Sequence, residues 1–235
     1  MLRRRVVLAA PFAVLVSGCA AAGEANPEKI GPRGVDELTI PTPSPNLEDF
    51  VATIDNPYLA VEPGRVWTYD VSGSAASRLV VRVQDEASTV AGVRCTTLYS
   101  LATASGGAPV WERYLQLAQD LRGNVWTFGE YGDRSWGAGQ ADARAGLFMA
   151  ATPRVGDGYL EEDAPDVAAD RTTVLSLTET ATVPAGEFAD VLLLETRAEV
   201  GDLDVTRRSY AVGAGLVESL TTLGGTEHAE LVSVT

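Results

Sequence analysis

The sequence predicts an all-β fold, with a single antiparallel domain that forms a β-sandwich or an open or closed β-barrel of about ten strands after a disordered tether. Many short runs alternate between apolar and polar residues with a period of two, and they are rich in Val, Thr, Leu and aromatic residues. Glycine-containing turns separate these runs at hairpin spacing. No amphipathic helical pattern comes regularly between them, so a parallel α/β sheet is not expected.

The first 18 residues have the organisation of an export signal. Arg3, Arg4 and Arg5 precede an apolar run at residues 6–16, which is too short to span a bilayer because a span needs about 20 residues. The following Val16-Ser17-Gly18-Cys19 resembles the lipobox of bacterial lipoproteins. That resemblance implies cleavage after residue 18 and attachment of acyl chains such as palmitate to Cys19.

Two alternatives to this interpretation of the N-terminus stay open. An ordinary secretory signal cut after the small residues 20–22 would release a protein without a lipid. Arg4 and Arg5 also resemble the arginine pair of a twin-arginine signal, so the export route is undetermined. Under the lipobox interpretation, the protein is anchored to the cell membrane on its extracytoplasmic face.

Residues 19–49 are predicted to form the tether between the lipid and the folded domain. They contain five prolines and few aromatic residues, a composition that favours an extended, semi-rigid chain over a packed core. The β domain is predicted to span residues 50–235. Turn signals at residues 54–58 and 62–64 lead directly into its first long strand.

Ten strands are predicted from the alternation along this domain. Between them, only residues 138–151 could form a short helix, and Gly139 and Gly146 weaken that helix. The predicted strands are 65–71, 78–84, 93–103, 110–118, 125–128, 172–182, 191–200, 205–212, 215–222 and 228–234.

The charge balance narrows the class of partner. The formal net charge is −14, and removal of a signal that carries three arginines makes it −17. Nucleic acid binding depends on Lys and Arg, so no nucleic acid partner is expected. The predicted partner is the membrane, which the protein contacts through the lipid on Cys19 rather than through its surface charge.

Most catalytic classes would have to use His228, because it is the single histidine of the chain. No nucleophile elbow, P-loop or dinucleotide fingerprint accompanies it, so we predict a surface strand residue, no cofactor and no identified catalytic residue. Cys95 lies in an alternating stretch and is predicted to be a small buried hydrophobe rather than a reactive thiol.

The densest acidic stretch, residues 157–170, is interpreted first as a solvated loop. No metal is predicted, although Asp157, Glu162 and Asp170 are weak candidates for calcium, which binds six to eight oxygen ligands. The spacing of these carboxylates does not match an EF-hand.

Aromatic residues and glycines are concentrated from Trp111 to Trp136. One interpretation is a capped core, and the other is an aromatic-lined mouth for an apolar or sugar ligand. The predicted ligand-binding residues are Trp126, Phe128, Glu130, Trp136 and Tyr159.

Short motifs follow one another in order over about residues 53–220. They are Asp55-Asn56-Pro57-Tyr58, Pro63-Gly64, Trp67 with Tyr69, Gly123-Asn124-Val125-Trp126, Phe128-Gly129-Glu130, Ser135-Trp136, Ala138-Gly139, Gly146 with Met149, Pro153, Gly156-Asp157, Tyr159, Glu162, Asp170, and Tyr210-Ala211 with Gly213 and Gly215-Leu216-Val217. With these motifs the chain resembles a family of bacterial envelope lipoproteins that has no assigned activity. Its last hairpins, at residues 183–188 and 210–217, also resemble those of β-rich envelope lipoproteins that include lipid-carrying half-barrels.

Three functional hypotheses follow. The first is a non-enzymatic, membrane-anchored lipoprotein that binds an apolar or amphiphilic ligand, or a partner, in a concavity near Trp126 and Trp136. The second is an envelope enzyme that acts on glycans through Glu130, Glu162 or Asp170, with two carboxyl groups roughly 5–9.5 Å apart across a cleft. The third is a structural or adhesion module, which would present a large exposed apolar patch.

Overall fold

The computed structural model describes residues 46–59, 61–201 and 203–235. The predicted signal peptide, Cys19 and most of the tether lie outside the described residues. Apart from one 3₁₀ turn at Leu47–Asp49, the regular structure of these ranges consists of β-strands. None of the described segments is a helix with the length and apolar character needed to cross a membrane.

The strands of the described chain are numbered β1 to β15. Their bounds are β1 Phe50–Val51, β2 Val66–Ser72, β3 Arg78–Val83, β4 Ser88–Val90, β5 Val93–Thr103, β6 Pro109–Asp120, β7 Val125–Tyr131, β8 Trp136–Gly137, β9 Gly146–Met149, β10 Gly158–Leu160, β11 Arg171–Val183, β12 Gly186–Arg197, β13 Val205–Ala211, β14 Gly215–Leu223 and β15 His228–Val234.

All these strands belong to one antiparallel sheet. Its order is β10-β11-β12-β13-β14-β15-β2-β3-β5-β6-β7-β8, with β1 on β6, β4 on β5 and β9 on β7. The sheet does not close into a continuous ring, because no ladder joins β10 to β8 or β9. The all-β antiparallel class is therefore confirmed in its open form, and the two-sheet sandwich is not the arrangement adopted.

Each of the ten predicted strands corresponds to a long strand of the sheet. The five strands that were not predicted have only two to four residues, too few to show a periodic pattern. The short helix considered possible at residues 138–151 does not form, because Gly146–Met149 forms β9 and pairs with β7. All four β9 residues are buried, so tertiary pairing outweighs a weak local helix preference.

The sheet curls so that its inner face packs against itself. Tyr69 on β2 donates a hydrogen bond from its hydroxyl to the Leu216 carbonyl at 2.9 Å, and Trp67 Nε1 donates to the Ala214 carbonyl at 2.6 Å. β2 and β14 are separated in the sheet by β15, so these contacts require strong curvature. The curled sheet encloses most of the apolar core, in which Leu117, Val191 and Leu231 are fully buried.

A buried hydrogen-bond network holds the segment before β2 against the β6–β7 hairpin. Gln119 Oε1 accepts hydrogen bonds from the backbone amides of Asp55 and Asn56, each at 2.9 Å. Asn56 Nδ2 donates to the carbonyls of Gly123 at 3.0 Å and Ala150 at 3.3 Å. The Asp55-Asn56-Pro57-Tyr58 and Gly123-Asn124-Val125-Trp126 motifs therefore meet in space and have a structural role.

Candidate functional site

The two ends of the open sheet lie side by side along a seam, which we define by β9 on one side and residues 158–164 on the other. At one point the Arg144 amide donates to the Asp163 carbonyl at 2.7 Å, forming an isolated antiparallel bridge. Two residues further on, a Cβ atom on Gly146 would lie only 2.2 Å from the Glu161 carbonyl oxygen. The two backbones are therefore in direct contact at this point, and only a glycine permits it.

Beside this contact, and lined in part by its residues Gly146 and Asp163, lies a cleft of about 240 Å³. Its floor is apolar and includes the buried side chains of Trp126, Leu147 and Tyr159. Asp163 and Arg171 are its charged lining residues. The complete lining consists of Trp126, Ala145, Gly146, Leu147, Gly158, Tyr159, Leu160, Asp163 and Arg171.

The five residues predicted to bind a ligand do not form a single surface. Trp126 and Tyr159 both line the seam cleft. Phe128 instead packs edge-on against Phe50, with ring centroids 4.9 Å apart. Trp136 lies in a separate small apolar cluster with three alanines, and Glu130 belongs to an ionic cluster, so the concavity expected near both tryptophans contains only Trp126.

The two aromatic residues of the cleft floor differ in how their polar atoms are satisfied. Trp126 Nε1 donates to Asp120 Oδ2 at 3.0 Å, which fixes the orientation of the indole. The Tyr159 hydroxyl is buried and has no hydrogen-bond partner among the described residues. Burial, followed by the nearby Glu161 carboxylate, raises the pKa of Tyr159, so the phenol is neutral at physiological pH.

An ionic cluster, which we call the clasp, crosses the seam at the bridged end. Its members are Glu130 on β7, Arg134 in the turn between β7 and β8, and Glu162 and Asp170 between β10 and β11. Arg134 lies 2.8 Å from Glu162, 3.1 Å from Asp170 and 3.4 Å from Glu130. One guanidinium therefore connects the two ends of the sheet.

Burial and neighbouring carboxylates give Glu162 an unusual protonation state. Burial, followed by the Glu130 and Asp170 carboxylates, raises the pKa of Glu162 to about 9 against the opposing charge of Arg134. The pKa of Arg134 is raised because the attraction of Glu162, Glu130 and Asp170 outweighs the effect of burial. At neutral pH, Glu162 is thus a neutral acid beside Glu130.

The geometry of the clasp bears on the glycan-enzyme hypothesis. Glu130, Glu162 and Asp170, which the sequence singled out for it, are brought together rather than scattered. Glu130 and Glu162, however, both contact the same Arg134 Nη2 atom, at 3.4 and 2.8 Å. The guanidinium lies between the two carboxyl groups where a substrate would have to bind, so the arrangement favours a structural connection over catalysis across a cleft.

Glu161, the preceding residue, points to the opposite side of the chain and forms a second buried ion pair with Arg208. Arg208 Nη1 donates to Glu161 at 2.9 Å, Arg208 Nη2 also contacts Glu161, and Thr172 Oγ1 donates at 2.6 Å. Burial alone would raise the pKa of Glu161, but the Arg208 charge and these hydrogen bonds outweigh it and lower the pKa. Adjacent glutamates therefore differ in charge at neutral pH.

The weak calcium candidates do not form a common ligand set. Asp157 precedes β10 and accepts from the Arg154 amide at 3.0 Å, whereas Glu162 and Asp170 belong to the clasp. Within the ranges that the structure describes, no three His, Cys, Asp or Glu side chains are placed to share a metal ion. His228, the first residue of β15, pairs with Glu218 on the neighbouring strand β14 at 2.9 Å.

The sequence analysis did not single out Arg113, Arg134 or Arg208. Each lies on a strand or turn far in sequence from at least one carboxylate that it faces. No local motif marks such a pair, because the contacts depend on how the sheet curls and where its ends meet.

Comparison with known proteins gives two structural likenesses. One is a crystal structure from Bacteroides fragilis, provisionally described as an exported protein with a YmcC-like fold. Its sequence is 15% identical to this chain, the TM-score is 0.46, and the match covers 74% of this chain and 96% of the Bacteroides fragilis chain. The other is a crystal structure from Parabacteroides distasonis, provisionally described as a lipoprotein. Its sequence is 14% identical to this chain, the TM-score is 0.42, and the match covers 77% of this chain and 99% of the Parabacteroides distasonis chain. No protein-family model matches the sequence, and no curated protein matches it significantly.

Proposed function

We propose that this protein is a membrane-anchored extracytoplasmic lipoprotein, held by a lipid on Cys19, whose β domain binds an apolar or amphiphilic ligand in the seam cleft. The observation that carries the ligand proposal is the apolar floor of the cleft, formed by Trp126, Leu147 and Tyr159 where the sheet fails to close. The N-terminal motif ending at Cys19 supports the anchor.

The size and chemistry of the cleft define what it can hold. Its volume of about 240 Å³ is below the roughly 300–1,000 Å³ of pockets that enclose drug-sized ligands. It therefore suits one end of an acyl chain or a single ring. Contact with the floor would stabilise the complex by about 25 cal/mol for each Å² of apolar surface removed from water.

The charged residues of the cleft already have partners. Asp163 pairs with Arg144 at 2.9 Å, and Arg171 pairs with Glu199 at 3.0 Å. The affinity for a ligand should therefore come mainly from apolar contacts. Such a ligand can leave a polar group in water at the rim of the cleft.

Filling the cleft tests the ligand proposal. A Cβ atom at Gly158 would lie 3.8 Å from its nearest neighbours, so Gly158→Val adds volume to the cleft without a backbone clash. Ala189→Val, at an exposed position of β12, is the matched control. Mass spectrometry of natively purified protein should find a co-purified lipid or other apolar molecule in the wild type and in the control, with much less in Gly158→Val.

The ligand proposal fails if Gly158→Val retains the same molecule at the same occupancy, or if the wild type carries none and binds no dodecanoate or dodecanol when they are added. The unfolding temperatures of the variants should be compared to confirm that each remains folded. This comparison separates loss of the cleft from loss of the fold.

The anchor is tested independently at Cys19. Wild-type protein expressed in a bacterial host should incorporate labelled palmitate and sediment with membranes. Cys19→Ala should lose both properties, because stable anchoring requires the attached acyl chains. Membrane association and labelling that persist in Cys19→Ala would overturn the proposed anchor.

The structural-module hypothesis has less support on the described surface. The three most exposed large apolar residues are Leu121, Leu203 and Val212. They lie in three different turns, after β6, before β13 and after β13. These residues thus do not form one continuous apolar patch of the kind that marks an adhesion surface.

A further inference from the structure

We propose that the partly exposed end of the sheet's inner face is a second binding site, which takes a long-chain carboxylate whose anionic group pairs with Arg113. This site lies apart from the seam cleft, shares none of its lining residues, and goes beyond the function proposed above.

Strand register places Arg113 on the inner face. Arg113 on β6 is directly opposite Ser100 on β5, which is opposite Val81 on β3, which is opposite the core residue Trp67 on β2. Directly opposed residues of neighbouring strands point to the same face. Arg113 also interacts electrostatically with Glu161 across the curled sheet.

The row of directly opposed inner-face residues next to that of Arg113 is apolar. Trp111, two residues before Arg113 on the same face, is opposite Ala102. Ala102 is opposite Leu79, which in turn is opposite the core residue Tyr69. Arg113 therefore stands beside a row of apolar side chains that continues the core.

Burial decreases along the inner-face residues of β6 and β3 towards Arg113 and its neighbours. On β6, Leu115 and Leu117 are buried, whereas Arg113 and Trp111 are partly exposed. On β3, the pattern is the same, with Val83 buried and Leu79 partly exposed. On β5, between these two strands, Ala102 stays buried. At this end of the inner face, the accessible side chains are thus those of β6 and β3, among them Arg113, Trp111 and Leu79.

Arg113, Arg134 and Arg208 are the arginines that contact the clasp or the Glu161 ion pair. Arg113 has the weakest contacts of the three. Its ion pair with Glu130 is 3.6 Å long, and its side chain is 43% exposed. Arg134, by comparison, lies 2.8 Å from Glu162 and 3.1 Å from Asp170, so Arg113 is the guanidinium that can accept a further anion.

The chemistry of these neighbours selects a carboxylate with a chain. A guanidinium forms two parallel hydrogen bonds with a carboxylate, and these are stronger than bonds to a neutral group. Partly exposed Trp111, Leu79 and Val81 offer apolar surface to the chain, which a small inorganic anion could not use. The same side chains give an uncharged alcohol the apolar contact but not the ion pair.

The test compares dodecanoate with dodecanol on lipid-free, full-chain protein below their aggregation concentrations, measured by tryptophan fluorescence. We expect dodecanoate to bind at least tenfold more tightly. Arg113→Gln should remove this preference and leave dodecanol binding unchanged, and Arg113→Lys should retain part of it. Arg82→Gln is the control, because Arg82 lies on the outer face of β3, near the Tyr99 ring.

Equal affinities for the two ligands in the wild-type protein would overturn the inference, and this comparison needs no variant. An undiminished preference in folded Arg113→Gln would overturn it as well. Gly158→Val should leave the carboxylate preference intact, whereas loss of ligand in that variant reports only on the seam cleft. The two proposals therefore fail by different results.

Discussion

Arg134 lies 2.8 Å from Glu162, and this contact joins the β7–β8 end of the sheet to the segment that follows β10. The Arg144–Asp163 pair crosses the same seam at 2.9 Å. The ends of the sheet are thus connected by side chains where a backbone ladder is missing. This arrangement keeps the sheet curled while leaving the cleft unfilled.

Replacing Glu162 by Gln should stabilise the protein at neutral pH. Burial and the Glu130 carboxylate raise the pKa of Glu162 from 4.5 to about 9, so at pH 7 the folded state holds a proton that the unfolded state has released. This difference costs the folded state roughly 3 kcal/mol, which a neutral Gln avoids in part. Chemical denaturation at pH 7 should show a gain of about 1–3 kcal/mol.

The pH dependence of that gain provides the check. The raised pKa of Glu162 means that its favourable contribution is complete below pH 4.5 and is lost as pH rises towards about 9. The advantage of Glu162→Gln should therefore grow between pH 5 and pH 9. A gain that is independent of pH would contradict the proposed protonation of Glu162.

Replacing the adjacent Glu161 by Gln should have the opposite effect. The pKa of Glu161 is lowered, because the Arg208 charge and hydrogen bonds outweigh burial. Its contribution to stability is present above the pKa of the unfolded state and is lost as pH falls through the lowered value. At pH 7, Glu161→Gln should cost about 3–5 kcal/mol, since it leaves Arg208 buried without its partner. Urea titrations at pH 7 would detect this loss, and stabilisation by Glu161→Gln would refute the assignment.

A methyl group at Gly146 should force the seam apart. The added Cβ would lie 2.2 Å from the Glu161 carbonyl oxygen and 2.5 Å from its carbon, and backbone atoms cannot move aside cheaply. We expect Gly146→Ala to lower the free energy of unfolding by about 3 kcal/mol. Gly158→Ala is the matched control and should change it by less than about 1 kcal/mol, because its Cβ has ordinary contacts. Similar losses in the two variants would argue against close contact at Gly146.

Asp120 should tolerate no amide replacement. Its carboxylate accepts hydrogen bonds from the Arg122 and Asn124 amides, from Asn124 Nδ2 and from Trp126 Nε1. Asn at this position would direct its own donors at these groups, at a cost of about 2–4 kcal/mol. Thermal unfolding should show the loss for Asp120→Asn, while the exposed Asp133→Asn should remain near the wild-type value.

Cys95 should resist alkylation in the folded protein. Its side chain is fully buried, as the alternating pattern predicted, and burial raises the pKa of the thiol to about 12. Iodoacetamide at pH 8 should therefore leave Cys95 unmodified until guanidinium unfolds the chain, as followed by peptide mass spectrometry. Rapid labelling of the native protein would show that this strand opens readily.

The longer strands were predictable because a half-buried strand leaves a period-two record in its own residues. Residues 93–103 and 228–234 were predicted with the bounds that the structure gives them. β8 and β10 have two and three residues, so no pattern could identify them. β9 was not predicted as a strand, and a short helix was considered possible there, because the role of Gly146 depends on a distant contact with Glu161.

The candidate site was predicted in part. The sequence singled out Trp126 and Tyr159, which both line the cleft, and Glu130, Glu162 and Asp170, which meet at the clasp. The sequence could not show that the two aromatic residues lie in the cleft while the three carboxylates lie in the clasp, at different parts of the seam. The sequence also gave no sign of Arg134, the residue that joins the carboxylates.

Local residue patterns by themselves determined the strand class, the burial of Cys95 and the prediction of a lipid on Cys19, because alternation and a short signal motif are properties of neighbouring residues. Tertiary structure alone decided that the sheet stays open, that Glu162 holds a proton while Glu161 holds a charge, and that Trp136 is remote from the cleft. These outcomes depend on which groups the curled sheet brings into contact, and burial and Coulomb forces act on those contacts whatever their separation in sequence.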